Sequence, residues 1–437
     1  MSATDLVALV CCDLGAIVRG RSVLASELGA QLDAGVGWVP ANHSLTPLGP
    51  LAEATPFGST GDLRLLPDPD THVRVEGSAA ASALELVLCD IVETDGRPWE
   101  CCPRRFLREA LAELEAEFGL RLEASFEHEF QLSPGVAAAL PFSLAEQRLV
   151  DPFGVEVMGA LIEAGAQPER FFAEFASHQF EIPVEAAEGI TAADRSVVLK
   201  EVVREVARRC GMCASFAALL DPDGPGNGTH IHMTLLDGDG EPLLYDADRP
   251  AYLSEPGGRF AAGVLRHAGA LSALCAPSPA SAARLIPHRW SAGAVCLGAG
   301  NREALLRIPS LVALAGSDPA QQLHLEYRGA DGTANPYLAL GAVVRAGLDG
   351  LRGALPTPPI LDRDPAQLDA AEAERYGVGA LPASLEDALR ALDEDEIARG
   401  WMAPLLYEAY VGIKRAELQA VAGLDVSEVC RRYAAIY

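Results

Sequence analysis

A chain of 437 residues, 49% hydrophobic and 22% charged, is too apolar for a disordered polymer and too long for one small core, so two or three folded domains are expected. Its 61 Asp and Glu against 34 Lys and Arg give a net charge of −27, which repels phosphate backbones and anionic lipid and argues against nucleic-acid and membrane partners. Most of the ten cysteines sit in apolar runs and read as reduced, buried thiols; Cys210 and Cys213 form one CxxC with no second pair, so no zinc site is expected.

The N-terminus, MSATDLVALVCCDLG, has no basic region and an apolar run only about one strand long. Neither a signal peptide nor a membrane anchor is expected, and the cytoplasm is the simplest location. LVALVCCD and ELVLCDIV have the length and β-branched content of strands, and the Pro/Gly-rich stretch from Pro40 to Asp70 between them reads as a long surface loop. CCPRRFLREALAELEAEFGL then predicts a helix, started by Pro103 and stopped by Gly119, that opens a larger domain from residue 101 onward. Beyond it, strands and helices mix without the alternation of a doubly wound fold, and Pro382–Tyr437 reads as a helical terminal subdomain.

Five groups carry chemistry. In SFEHEFQL, Glu127 and Glu129 alternate with Phe126, His128 and Phe130, so on a strand both carboxylates share one face and repel unless a cation lies between them. In GNGTHIHMTLLD, His230 and His232 share a face, and the turn Gly226–Gly228 lets a ligand approach the backbone. Histidine beside carboxylates suits divalent ions. EFASHQFEI places Glu174 and Glu181 on either side of a turn. GNREALLRIP sets Arg302 and Arg307 in an apolar segment, where arginines are costly to bury unless anions such as phosphate meet them. In HLEYRGADGTANPYLALGAVVRAGLDG, Glu326 and Arg328 share a face, one fit for metal and the other for a carboxylate; an intrastrand ion-pair neighbourhood is the plainer alternative.

These groups, in this order from about Pro103 to the C-terminus, resemble the glutamine synthetase family. NGTHIHM, NREALLRIP and EYRGADGTANPYLALGAVVRAGLDG are the most specific segments, while VRGRSV and GDLRLLPDPDT look like the family's β-grasp domain. The resemblance implies an α+β fold: a β-grasp domain over residues 1–100 and a glutamine synthetase catalytic domain over 101–437 with a helical C-terminal subdomain. It implies two ions, Mg²⁺ or Mn²⁺, the first held by Glu129, Glu174 and Glu181, the second by Glu127, His230 and Glu326. It further implies Arg302, Arg307 and His232 at the nucleotide, Arg284, Arg328 and Gly226 at glutamate, and Arg302 and Arg328 as catalytic groups. The implied reaction activates a carboxylate with ATP as an acyl phosphate, which an unprotonated amine then attacks. The implied assembly is a homododecamer of two stacked six-membered rings, in which residues near Pro40–Ser44 complete a neighbour's site.

The chain also departs from the family. Ammonia-using members carry a glutamate shortly after RLxP; here Arg284–Trp290 reads RLIPHRW and ends on Trp290. They also carry an N-terminal aspartate, where PANHSL offers Ala41, Asn42 and His43. Ala176-Ser177-His178 replaces a glycine-rich turn before Gln179, and Leu219 stands where the family has a lysine. Loss of both ammonium carboxylates favours an organic amine, with Trp290 either walling the amine site or filling core volume. The expected activity is therefore a γ-glutamyl-amine ligase, with an ammonia-using glutamine synthetase second and a non-catalytic structural protein third.

Overall fold

The structure, a computed structural model, describes residues 5–77, 81–289 and 291–437, with Ala315 described by its backbone alone. Two sheets organise it. In the first, strands run in the order Val18–Leu24, Leu6–Cys12, Leu84–Glu93, Leu63–Pro67, Val36–Trp38, and Val73–Val75 also pairs with Leu84–Glu93. The two most apolar strands, Leu6–Cys12 and Leu84–Glu93, lie parallel at its centre, with Ala8 opposite Leu86, and the other pairs are antiparallel. The stretch expected to be one long surface loop contains the strand Leu63–Pro67, whose Leu63 and Leu65 are buried. Its alternation covers five residues, too few to stand out among the surrounding Pro and Gly.

The expected helix runs Pro103–Phe118, with Pro103 in its first turn and Gly119 as a left-handed cap at φ 65°. Its buried face, Phe106, Leu107, Ala110 and Leu114, packs on the helix Pro336–Arg352. Arg104, on the same helix, is buried and binds Asp194 at 2.9 Å, Asp90 at 3.0 Å and Asp68 at 3.0 Å. One guanidinium thereby ties the first sheet to the helix Ile190–Arg209 of the second unit.

The second sheet has ten strands, in the order Ile360–Leu361, Ala294–Ala299, Ala304–Ile308, Leu325–Tyr327, Thr229–Leu236, Arg121–Leu132, Gln179–Ile182, Phe172–Ala173, with Ala187–Glu188 and Ala214–Ser215 also on Arg121–Leu132. One face is core: Phe130 packs at 5.3 Å from Phe216, 6.2 Å from Phe153 and 6.3 Å from Phe180. The helix Ile190–Arg209 packs on the same strand. The C-terminal segment is helical as expected, over Leu385–Glu394, Glu396–Arg399, Pro404–Ala420 and Val426–Ala434. Tyr437 is tied back into the body: its carbonyl accepts from Phe216 N at 2.8 Å and from Arg204 at 2.7 Å. The fold class is α+β, as expected.

Candidate active site

Strict alternation in Arg121–Leu132 builds the site. Leu122, Ala124, Phe126, His128, Phe130 and Leu132 point into the core, so Glu123, Ser125, Glu127 and Glu129 face a cleft. Register brings the other candidates to that face. His230 lies opposite Glu127, His232 opposite both Ser125 and Glu326, Glu326 opposite Arg307, and Glu129 opposite Glu181.

Two carboxylates directly opposite across a ladder repel. Burial, then the charges of Glu127 and Glu129, push Glu181 far above the usual carboxylate range. Burial and Glu129 push Glu174 up to about 7. Glu129 itself is fixed by Gly228 N at 2.7 Å and Gln179 Nε2 at 3.1 Å, and Gln179 Nε2 also donates to the Gly226 carbonyl at 3.0 Å. Crowded carboxylates of this kind fit a divalent cation with oxygen ligands, which would relieve their repulsion.

On the other side, His230 Nδ1 sits 3.3 Å from Glu127 and 3.7 Å from Glu326. Burial would raise Glu326, but Arg328, His230, His232 and Arg307 hold it down to about 2. It is bound by Arg307 at 2.6 Å and by Arg328. Among the described residues no three His, Cys, Asp or Glu side chains are drawn into a closed ligand set, because Glu326 is turned to these arginines and Glu127 to His232. His232 Nε2 donates to Glu127 at 2.9 Å and its Nδ1 to His324 at 2.9 Å, while His324 Nδ1 donates to the Gln322 carbonyl at 2.7 Å. Burial opposes the charge on His232, but Glu127 outweighs it and raises the imidazole pKa.

Two cavities flank the carboxylate band. One, of about 360 Å³, is lined by Glu129, Glu174, Gly226, His230 and Arg284. The other, of about 600 Å³, is lined by Glu127, Glu181, His232, Arg307 and His324. Both lie within the range of roughly 300–1,000 Å³ for small-molecule sites, and the larger suits a nucleotide. Arg284 lines the first cavity and Arg307 the second, and the Nε of each is buried without a hydrogen-bond partner, so both are candidates to meet an anion. A Cβ on Gly226 would stand 2.3 Å from the Ala218 carbonyl and 2.6 Å from the Arg284 side chain, so only glycine fits beside that arginine. Arg328 is buried and donates from Nε to the Arg302 carbonyl at 3.0 Å, whereas the Arg302 side chain is exposed and not sequestered as its apolar setting suggests. Trp290 lies outside the described residues. Three side chains at the site carried no motif signal: Phe175, His324, and Arg289, which grips the carbonyls of Gly224 at 2.7 Å and Pro222 at 2.8 Å. His324 could have been found by extending the alternation of Glu326 and Arg328 one step back.

The glutamine synthetase N-terminal domain family matches residues 1–99, and the glutamine synthetase catalytic domain family matches residues 100–431. The chain belongs to the glutamine synthetase family. Among its relatives, the γ-glutamylpolyamine synthetase GlnA3 of Streptomyces coelicolor is 34% identical, over 98% of this chain and 92% of that protein. A crystal structure described as a novel glutamine synthase homolog superposes with a TM-score of 0.92 at 45% identity, covering 100% of this chain and 99% of the other. The ligand-free structure of GmaS superposes with a TM-score of 0.81 at 26% identity, covering 95% and 93%. The chain is thus an ATP-dependent ligase on the glutamine synthetase scaffold. Among the described residues no helix is long and apolar enough to cross a membrane.

Proposed function

We propose that this chain joins the γ-carboxylate of glutamate to a primary organic amine, giving a γ-glutamyl amide, ADP and phosphate. The observation that carries the reading is the 360 Å³ cavity: it pairs a buried arginine with an unpaired donor and a crowded carboxylate band, while the described loop after Arg284 adds His288 and Arg289 rather than an acid. An ammonium ion needs an opposing charge when buried; that loop supplies none, Glu129 and Glu174 are taken up by the ion they would hold, and the other acid among the described residues lining the cavity, Asp223, is exposed. The relative named as a γ-glutamylpolyamine synthetase supports the same reading.

In this reading Arg284, Arg328 and Gly226 hold glutamate, and Arg302, Arg307 and His232 meet the nucleotide phosphates. Two ions, Mg²⁺ or Mn²⁺, would be held by Glu129, Glu174 and Glu181 and by Glu127, His230 and Glu326, and would supply charge neutralisation for phosphoryl oxygens. Arg302 and Arg328 act at the transferring group. A γ-carboxylate oxygen takes the terminal phosphoryl group of ATP and ADP leaves. The amine nitrogen then bonds to the acyl carbon, phosphate leaves, and the nitrogen gives up a proton. Desolvation in the cavity lowers the amine's pKa and exposes its lone pair. All ten cysteines are free and eight are buried, which suits a reducing compartment such as the cytoplasm.

The test is phosphate release from ATP with glutamate across ammonia and a panel of amines, with the amide identified by mass spectrometry. Amine-dependent release above the ammonia rate is expected. Ammonia outperforming every amine moves the reading to plain glutamine synthetase.

A further inference from the structure

The 360 Å³ cavity has a wall that the steps above do not use. Phe175, next in sequence to Glu174, lines it and is 49% exposed. Phe142 stands beside it, 50% exposed, with ring centroids 6.2 Å apart and planes tilted by 52°. Large aromatic faces half open to water at the mouth of a ligand cavity mark a binding surface. The backbone holds them there at a cost. Phe142 sits at φ 56°, a left-handed conformation that bulky residues rarely adopt, and its N–H donates to the Glu174 carbonyl at 3.3 Å. On the far side of Phe175, His178 is also left-handed at φ 53°, anchored by its N–H to Glu146 at 2.9 Å.

We propose that Phe175, with Phe142 beside it, is the wall on which the hydrocarbon chain of the amine lies, so that the pair selects primary amines of about three carbons or more. This rests on the amine-ligase reading above. Charge divides the cavity. Glutamate brings carboxylates, which belong at Arg284; an aromatic face carries negative potential and repels them, but it attracts an ammonium group and covers an alkyl chain. The attacking nitrogen must come within about 3 Å of the acyl carbon, so the amine site opens off the glutamate site. Phe175 is the one large apolar side chain among the described residues lining that cavity. Methylamine is too short to cover the ring. Each further methylene laid on it strengthens binding by about fourfold until the wall is covered.

The test compares kcat/KM for methylamine, propylamine, hexylamine and 1,4-diaminobutane in the wild type, Phe175→Ala, Phe142→Ala and Phe175→Leu, with KM for glutamate and ATP as measures of an intact site. Phe175→Ala should lower the hexylamine-to-methylamine ratio about tenfold, through KM. Phe142→Ala should lower it less, and Phe175→Leu should keep most of it. A wild-type ratio in Phe175→Ala overturns the inference and leaves the ligase reading standing. So does an equal loss for every amine with a raised glutamate KM or a lower assembled mass, which marks a structural or interface role. A wild type that accepts ammonia and no amine fails the ligase reading itself and takes this inference with it.

Discussion

Glu129 and Glu181 face each other on adjacent strands, and Glu174 sits at the turn beside them. Burial and mutual repulsion keep Glu181 and Glu174 protonated in the folded chain at pH values where an unfolded chain has lost those protons. The folded state therefore binds more protons between the ordinary glutamate pKa of about 4.3 and the value of about 7 for Glu174. Stability is fully supported below that window and falls as pH rises through it. A divalent cation replaces the proton and removes the penalty. In chelator, Tm by scanning calorimetry is expected to fall from about pH 5 to about pH 7, and more steeply in the wild type than in Glu174→Gln. Mn²⁺ or Mg²⁺ should raise Tm, and more at about pH 8 than at about pH 5. Equal metal shifts at both pH values would rule out these carboxylates as the seat of an ion.

At the scale of elements, Arg104 joins two units that otherwise have separate sheets. It is buried among Asp68, Asp90 and Asp194, and Tyr337 Oη donates to the same Asp194 at 2.6 Å. Burial would raise Asp68, yet its bond to Arg104 holds it below the usual carboxylate range. Removing the guanidinium strands several carboxylates at once, so Arg104→Ala is expected to lower stability by about 3–5 kcal/mol in urea unfolding, with KM for glutamate little changed in the folded fraction. A loss under about 1 kcal/mol would show that the sheets are held by apolar packing alone. The partners of this arginine lie far apart in sequence, which is why no motif announced it. Long alternating or apolar strands, Leu6–Cys12, Leu84–Glu93 and Arg121–Leu132, were legible because a two-residue period needs several repeats to show. Val36–Trp38, Leu63–Pro67 and Phe172–Ala173 were not, since pairing rather than local pattern defines so short a strand. The same limit applied at the site. Alternation put Glu127 with Glu129 and His230 with His232, and the family resemblance supplied their grouping. That Glu129 meets Glu181, that Glu326 turns to Arg307, and that Phe175 lines the cavity beside Glu174 are matters of register and turn conformation, which residue spacing does not carry.

At the scale of the whole molecule, the chain carries a net charge of −27 and yet exposes large apolar side chains, among them Leu140, Leu144, Val155, Ile162 and Leu314. Such side chains are ordinary when scattered along the surface. Family resemblance implies two stacked six-membered rings, with residues near Pro40–Ser44 reaching a neighbour's site. In this chain His43 and Ser44 are buried, His43 with its ring 4.9 Å from Trp99, so the half-buried Pro40, Ala41 and Asn42 are what a neighbour could meet. Light scattering is expected to give about twelve times 46.0 kDa. Like-charged copies repel over roughly 10 Å at 0.1 M salt, so the assembled fraction should rise with ionic strength. Sharing of sites has its own signature. Asn42→Trp would spoil the face given to a neighbour, and His230→Ala would spoil the face that receives it; each alone should be inactive. Dissociated, mixed and reassembled, they should regain part of the wild-type rate, because some sites then draw both intact halves. A mass of 46.0 kDa in an active preparation, or no recovery on mixing, would place the whole active site within one chain.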